Sequence, residues 1–172
     1  MKSVKRQRSA LLSPPPPPKD GVSPSRVVLP DGPWQTIGQF LIERFPGVSA
    51  TVWNERIRMG DVMDEVGGRV SALQAYQPHC TLYYYRSLET ETPIPFEERI
   101  VFQDDYLVVA DKPHFLPVIP SGRYLQETLL VRLKRKLGIE TLAPIHRIDR
   151  ETAGLVIFTV RPETRRAYQD LF

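Results

Sequence analysis

The chain has 172 residues, 41% apolar and 25% charged, with a single cysteine and a formal net charge of +3. That length holds one ordinary domain, or a small domain and part of another, and the composition excludes a wholly disordered chain. Cys80 alone excludes an internal disulfide and a multi-thiolate zinc site, while the absence of a run near the roughly 20 apolar residues of a membrane span, or of a secretory apolar segment, points to a cytoplasmic protein with no membrane partner.

Charge is uneven along the chain. Residues 1–30 carry six basic residues against one acidic, residues 31–98 five against ten, and residues 99–172 twelve against nine. A basic arm and a mildly basic C-terminal segment suit an RNA partner, because phosphate contacts supply much of nucleic-acid affinity; a solvated charged surface would read the same way.

In chain order, the uninterrupted prolines Pro14 to Pro18, with Pro24, Pro30 and Pro33, predict a disordered basic tail of polyproline II character over residues 1–32. From Trp34 to Phe45 the apolar residues Ile37, Phe40, Leu41 and Phe45 recur at helical spacing, and Pro46-Gly47 supplies the stop. Ser49 is positioned to cap a second helix to about Met59, with Val52, Trp53 and Ile57 inward and Arg56 and Arg58 the only two of the region's five arginines placed together on it. Gly60-Asp61-Val62 and Gly67-Gly68 punctuate short strands, and Leu82 to Arg86 reads as another. Alternation along Tyr83-Tyr84-Tyr85 sends the middle ring to the opposite face, so these rings divide between core and surface.

Thr90 to Pro95 is a linker. Arg99 to Gln103 and Tyr106 to Ala110 read as strands around Asp104-Asp105, and Pro113 to Gly122, with three prolines, as a loop. Tyr124 to Leu137 is the clearest helix, with leucines at 125, 129, 133 and 137 and Gly138 as terminator. The cations Arg132, Lys134, Arg135 and Lys136 complement the dipole at its end. A strand at Leu155 to Val160 precedes Pro162 and a helix from Glu163, with Ala167, Leu171 and Tyr168 as its inner face. The fold class expected is α+β.

The chemistry is concentrated in His146-Arg147-Ile148-Asp149-Arg150-Glu151-Thr152-Ala153-Gly154-Leu155, where one carboxylate stands between two guanidinium groups just before a buried strand. A guanidinium nearby favours the ionised form of a carboxylate, so Arg147 or Arg150 is the expected partner of Asp149. Glu151 is expected to point away from Asp149 across the turn, which argues against the paired carboxylates of a glycosidase. His146 has no Ser, Cys or Asp companions of a nucleophilic set and is read as ordering the turn. Thr152 and Gly154 shape it, and Lys112-Pro113 is read as a fixed strand end rather than a phosphate contact.

This decapeptide resembles the signature H-R-L-D-R-x-T-S-G-L of the RluA-type RNA pseudouridine synthases, with Ile148 for leucine and Ala153 for serine. Residues 95–113 resemble the entry to that family's catalytic domain. The resemblance implies isomerisation of uridine to pseudouridine in structured RNA, ribosomal or transfer, with Asp149 as nucleophile, Arg147 filling the gap left by the extruded base, Arg150 as a further RNA contact, and no cofactor or metal. It implies three regions: a tail over residues 1–32, an S4-like α+β module over residues 33–89, and part of a catalytic domain over residues 90–172.

In that family the aspartate's main basic partner and a uracil-stacking aromatic come from later strands. The 172-residue chain is therefore expected to be an incomplete, inactive and aggregation-prone fragment. The alternative is a non-catalytic RNA-binding protein keeping the signature as a structural relic, and a weaker third reading is an interaction module centred on the proline tail.

Overall fold

The computed structural model describes residues 14–88 and 90–171, and the basic residues of the first 13 positions lie outside them. The chain forms two compact units, one built on Pro24–Tyr85 and the other on Pro18–Ser23 with the segment from Arg86.

In the first unit, β1 (Ser25–Val28), α1 (Ile37–Arg44), α2 (Ala50–Met59), β2 (Val62–Asp64) and β3 (Thr81–Tyr84) follow in order. Both helices begin where short polar side chains can take orphan amides: Thr36 accepts from the Gln39 N–H and Ser49 from the Val52 N–H. The strands form an antiparallel sheet in the order β1-β3-β2. Phe40, Leu41, Trp53, Val62 and Leu82 are its fully buried apolar centre, and the Tyr84 ring joins them against Trp53 and Phe45.

The second unit contains β4 (Arg99–Gln103), β5 (Leu107–Lys112), α3 (Leu129–Leu137), β6 (Ala143–Pro144), β7 (Gly154–Thr159) and α4 (Arg165–Gln169). Its sheet runs β4-β5-β7-β6, antiparallel throughout. Period-two alternation puts Val108, Ala110, Val156 and Phe158 on one face, where Leu116, Leu129, Leu133 and Leu142 cover them. Each of the valine, leucine and phenylalanine side chains among them contributes about 1.5–3 kcal/mol by leaving water. The opposite face, with Phe102, Val109 and Ile157 in register across three strands, is half-buried to exposed.

The chain is α+β, as its sequence predicts, with three local differences. Part of the tail expected to be disordered is ordered: Val27, Val28 and Leu29 carry the chain into β1, with Leu29 buried in the core, and Val22 packs against Leu125 and Val131. A sheet edge and a helix flank outweighed the local proline density. The helix predicted from Tyr124 starts at Leu129, because the Glu91 carboxylate accepts the Leu125, Gln126 and Glu127 N–H groups (2.8–2.9 Å) and Thr128 caps the turn that follows. Ala167 and Leu171, predicted to face inward, are exposed.

Candidate active site

The signature turn is built from a buried lysine upward. Lys112 ends β5 with no exposed surface, and its ammonium donates to the carbonyls of Pro113 (3.0 Å), Leu116 (2.8 Å) and Arg150 (3.0 Å). An ammonium has three donors, and each is used. One side chain thus ties the proline loop to the turn that holds Asp149. Burial holds the Lys112 pKa below the ordinary lysine value, opposed in part by the Glu151 carboxylate.

Other bonds complete the turn. The Thr152 N–H donates to the Asp149 carbonyl (3.1 Å). The Ile157 N–H donates to His146 Nε2 (3.1 Å), so the imidazole ties the turn to β7. Gly154 opens β7 opposite Lys112 with φ of +147°, a backbone region that side chains other than hydrogen rarely enter. On the far side, His114 Nδ1 donates to the Glu151 carbonyl (2.7 Å).

Asp149 is exposed. It lines an open cavity of about 150 Å³ with Arg147, Ile148 and Arg150 from the turn and Pro117, Val118, Ile119 and Ser121 from the loop. The three polar residues singled out from the sequence therefore meet at one concavity. The electrostatic pairing expected for Asp149 is not formed: Arg150 donates instead to Glu151 through Nε (2.8 Å) and Nη2 (2.6 Å), and to the Tyr124 hydroxyl through Nη1 (3.0 Å). The reason is local. Glu151 adjoins Arg150 in the chain and reaches it without bending the turn. The hydrogen bond and charge of Arg150 hold the Glu151 pKa below the usual carboxylate range, and Glu151 raises that of Arg150. Arg147 is exposed and makes no hydrogen bond or ion pair among the described residues.

Sequence reasoning missed three participants. Lys112 was visible only as a strand end, and its fully buried clamp needs a carbonyl 38 residues away. Tyr124 was assigned to a helix, but it closes a tight turn with Ser121 and holds Arg150, while Arg123 lies 5.5 Å from its ring centre. Phe115 sits in the loop at φ of +66° and is 49% exposed. No local pattern announces any of these roles. Among the described residues, no three His, Cys, Asp or Glu side chains gather as a metal site, and no helix is long and apolar enough to cross a membrane.

Residues 106–172 match the family described as RNA pseudouridylate synthase. An uncharacterized RNA pseudouridine synthase of Synechocystis sp. is 34% identical over 119 residues, 69% of this chain and 40% of its own length. RNA pseudouridine synthase 5 of Arabidopsis thaliana is 25% identical over 81% of this chain and 39% of itself, and the mitochondrial tRNA pseudouridine(32) synthase of Saccharomyces cerevisiae is 38% identical over 38% and 14%. The chain spans 40% or less of the length of each of these relatives. With its signature turn and lysine-proline strand end agreeing with the matched segment, residues 106–172 are similar to the RNA pseudouridylate synthase family.

Proposed function

We propose that this chain supplies the aspartate-bearing part of an enzyme that isomerises uridine to pseudouridine in structured RNA, with Asp149 as the nucleophile. The observation that carries the reading is the Asp149 carboxylate, exposed on an open cavity and flanked by two arginines. In the reaction the carboxylate takes C1′ as the N1–C1′ bond breaks and uracil leaves with that electron pair. The ring turns, C5 bonds to C1′, and the carboxylate departs with its own pair. C5 then loses its proton and N1 gains one, so product and substrate are isomers and no water is consumed. A single nucleophile suffices, and the cavity has no second carboxylate to activate water.

Reaching C1′ requires the target nucleotide to leave its stack. Arg147, unpaired and exposed, is the group placed to fill that gap, since a planar guanidinium stacks and donates several hydrogen bonds at once. Arg150 has five N–H donors, three of them committed to Glu151 and Tyr124, which leaves two for a phosphate at the cavity rim. Ribosomal and transfer RNA both fit this reading. The first unit is read as an S4-like module that mainly packs, because its three helix arginines, Arg44, Arg56 and Arg58, are already engaged by Phe45, Trp53 and Glu55.

The test is tritium release from C5 of uridine in unmodified tRNA and rRNA transcripts. It is run on the 172-residue chain and on a chimera in which the Synechocystis relative supplies the length that this chain does not span. Asp149→Asn should abolish release in whichever protein is active and leave RNA affinity within about twofold, because the substitution preserves shape and removes only the nucleophile. Release that survives the substitution would exclude Asp149 as nucleophile.

A further inference from the structure

We infer that Phe115 is a nucleobase-stacking residue, receiving an unpaired base of the RNA beside the target uridine; this rests on the RNA reading above. The starting observation is its backbone. At φ of +66° Phe115 occupies the left-handed region, which a bulky side chain rarely adopts. The loop around it leaves little room to relax. Lys112 bonds the carbonyls of Pro113 and Leu116 on either side, His114 is tied to the Glu151 carbonyl, and Leu116 is completely buried.

Such a conformation is ordinarily offset by what the side chain gains, and here the gain is not burial. Leu116, Pro117 and Val118, next along the chain, are buried, whereas Phe115 is 49% exposed. Strain held by an over-determined loop, with an apolar ring left in solvent, marks a group preorganised for a ligand.

Position and chemistry name the ligand. The loop runs directly into Pro117, Val118 and Ile119 on the wall of the Asp149 cavity. Around Phe115 the rings of His114 (6.0 Å) and Phe96 (6.1 Å) form a surface aromatic cluster. Flipping one nucleotide leaves its neighbours unstacked, and an aromatic face accepts any base, because every base has a π-face. An exposed phenylalanine two residues before the cavity wall meets that need without reading sequence.

The experiment measures dissociation constants of the 172-residue chain for an unmodified tRNA transcript together with thermal unfolding. Phe115→Gly tolerates the left-handed backbone, so it should hold or raise the unfolding midpoint while weakening RNA binding about fivefold or more, the low end of losing one stacked base. Phe115→Leu, which keeps apolar bulk without a ring, should lose affinity comparably, and Phe115→Trp should restore it to within about twofold. Affinity unchanged in the glycine and leucine variants, or restored as fully by leucine as by tryptophan, overturns the inference and leaves the RNA reading standing. A parent chain that does not bind the transcript overturns both. Should the glycine variant unfold, the leucine and tryptophan pair still decides.

Discussion

Two pairs of arginines, one on α2 and one in the signature turn, look alike in sequence and are used in opposite ways. On α2, Arg56 is buried with its guanidinium 5.1 Å from the Trp53 ring centre, and Arg58 is exposed but bonded to Glu55 one turn earlier (2.6 Å). In the turn, Arg150 is held by Glu151 and Tyr124 at the rim of a cavity, and Arg147 is exposed with no partner among the described residues. Positive charge alone therefore does not locate an RNA surface. The pairs differ in their surroundings: the guanidiniums on α2 lie against a ring and a carboxylate of the same helix, whereas those of the turn border a concavity.

The comparison can be broken or sharpened by substitution, beginning with the group beneath the turn. Lys112→Met leaves three carbonyls without a donor and should lower stability by about 3 kcal/mol, read by denaturant unfolding followed at the second unit, and should also loosen the Asp149 turn. Because burial depresses the folded pKa of Lys112, the unfolded state binds more protons between that value and about 10.4. Its contribution to stability therefore rises as pH climbs through that window, and the slope should fall in Lys112→Met. An unchanged slope would assign it to another group, Lys134 being the alternative, since burial lowers its pKa too.

Next in size is Arg147→Ala, which should weaken binding to an unmodified tRNA transcript about tenfold and reduce the salt dependence of binding by about one charge. Arg150→Lys should cost less, about threefold, because lysine keeps the charge but cannot hold Glu151 and Tyr124 together in one plane. Smallest is Arg58→Ala, expected to shift RNA affinity by less than about twofold, as an exposed pair within one helix contributes little. A large loss for Arg58→Ala with none for Arg147→Ala would invert the comparison and move the RNA surface to the first unit.

The elements most legible from sequence are those whose signals are local. Helix α2 follows its N-cap Ser49 and runs to Met59, as predicted, and β4 and β5 flank Asp104-Asp105 as their alternation predicts. Strand β1 was hidden because it is four residues long and preceded by prolines, and its stability comes from pairing with Thr81–Tyr84 far along the chain. The start of α3 differs from its predicted place because the amides of Leu125, Gln126 and Glu127 ahead of it are taken by Glu91, more than thirty residues away.

The same division holds at the site. By itself the sequence determined the family signature, the identity of the carboxylate and the arginines beside it, since the order of side chains along a short turn is written in consecutive residues. Only the tertiary structure decided that Arg150 bonds Glu151 rather than Asp149, that Lys112 is a buried clamp, and that Phe115 is held strained in the open. Each of these depends on carbonyls, carboxylates or rings brought together from separate segments, and hydrogen bonds and burial act on distance in space.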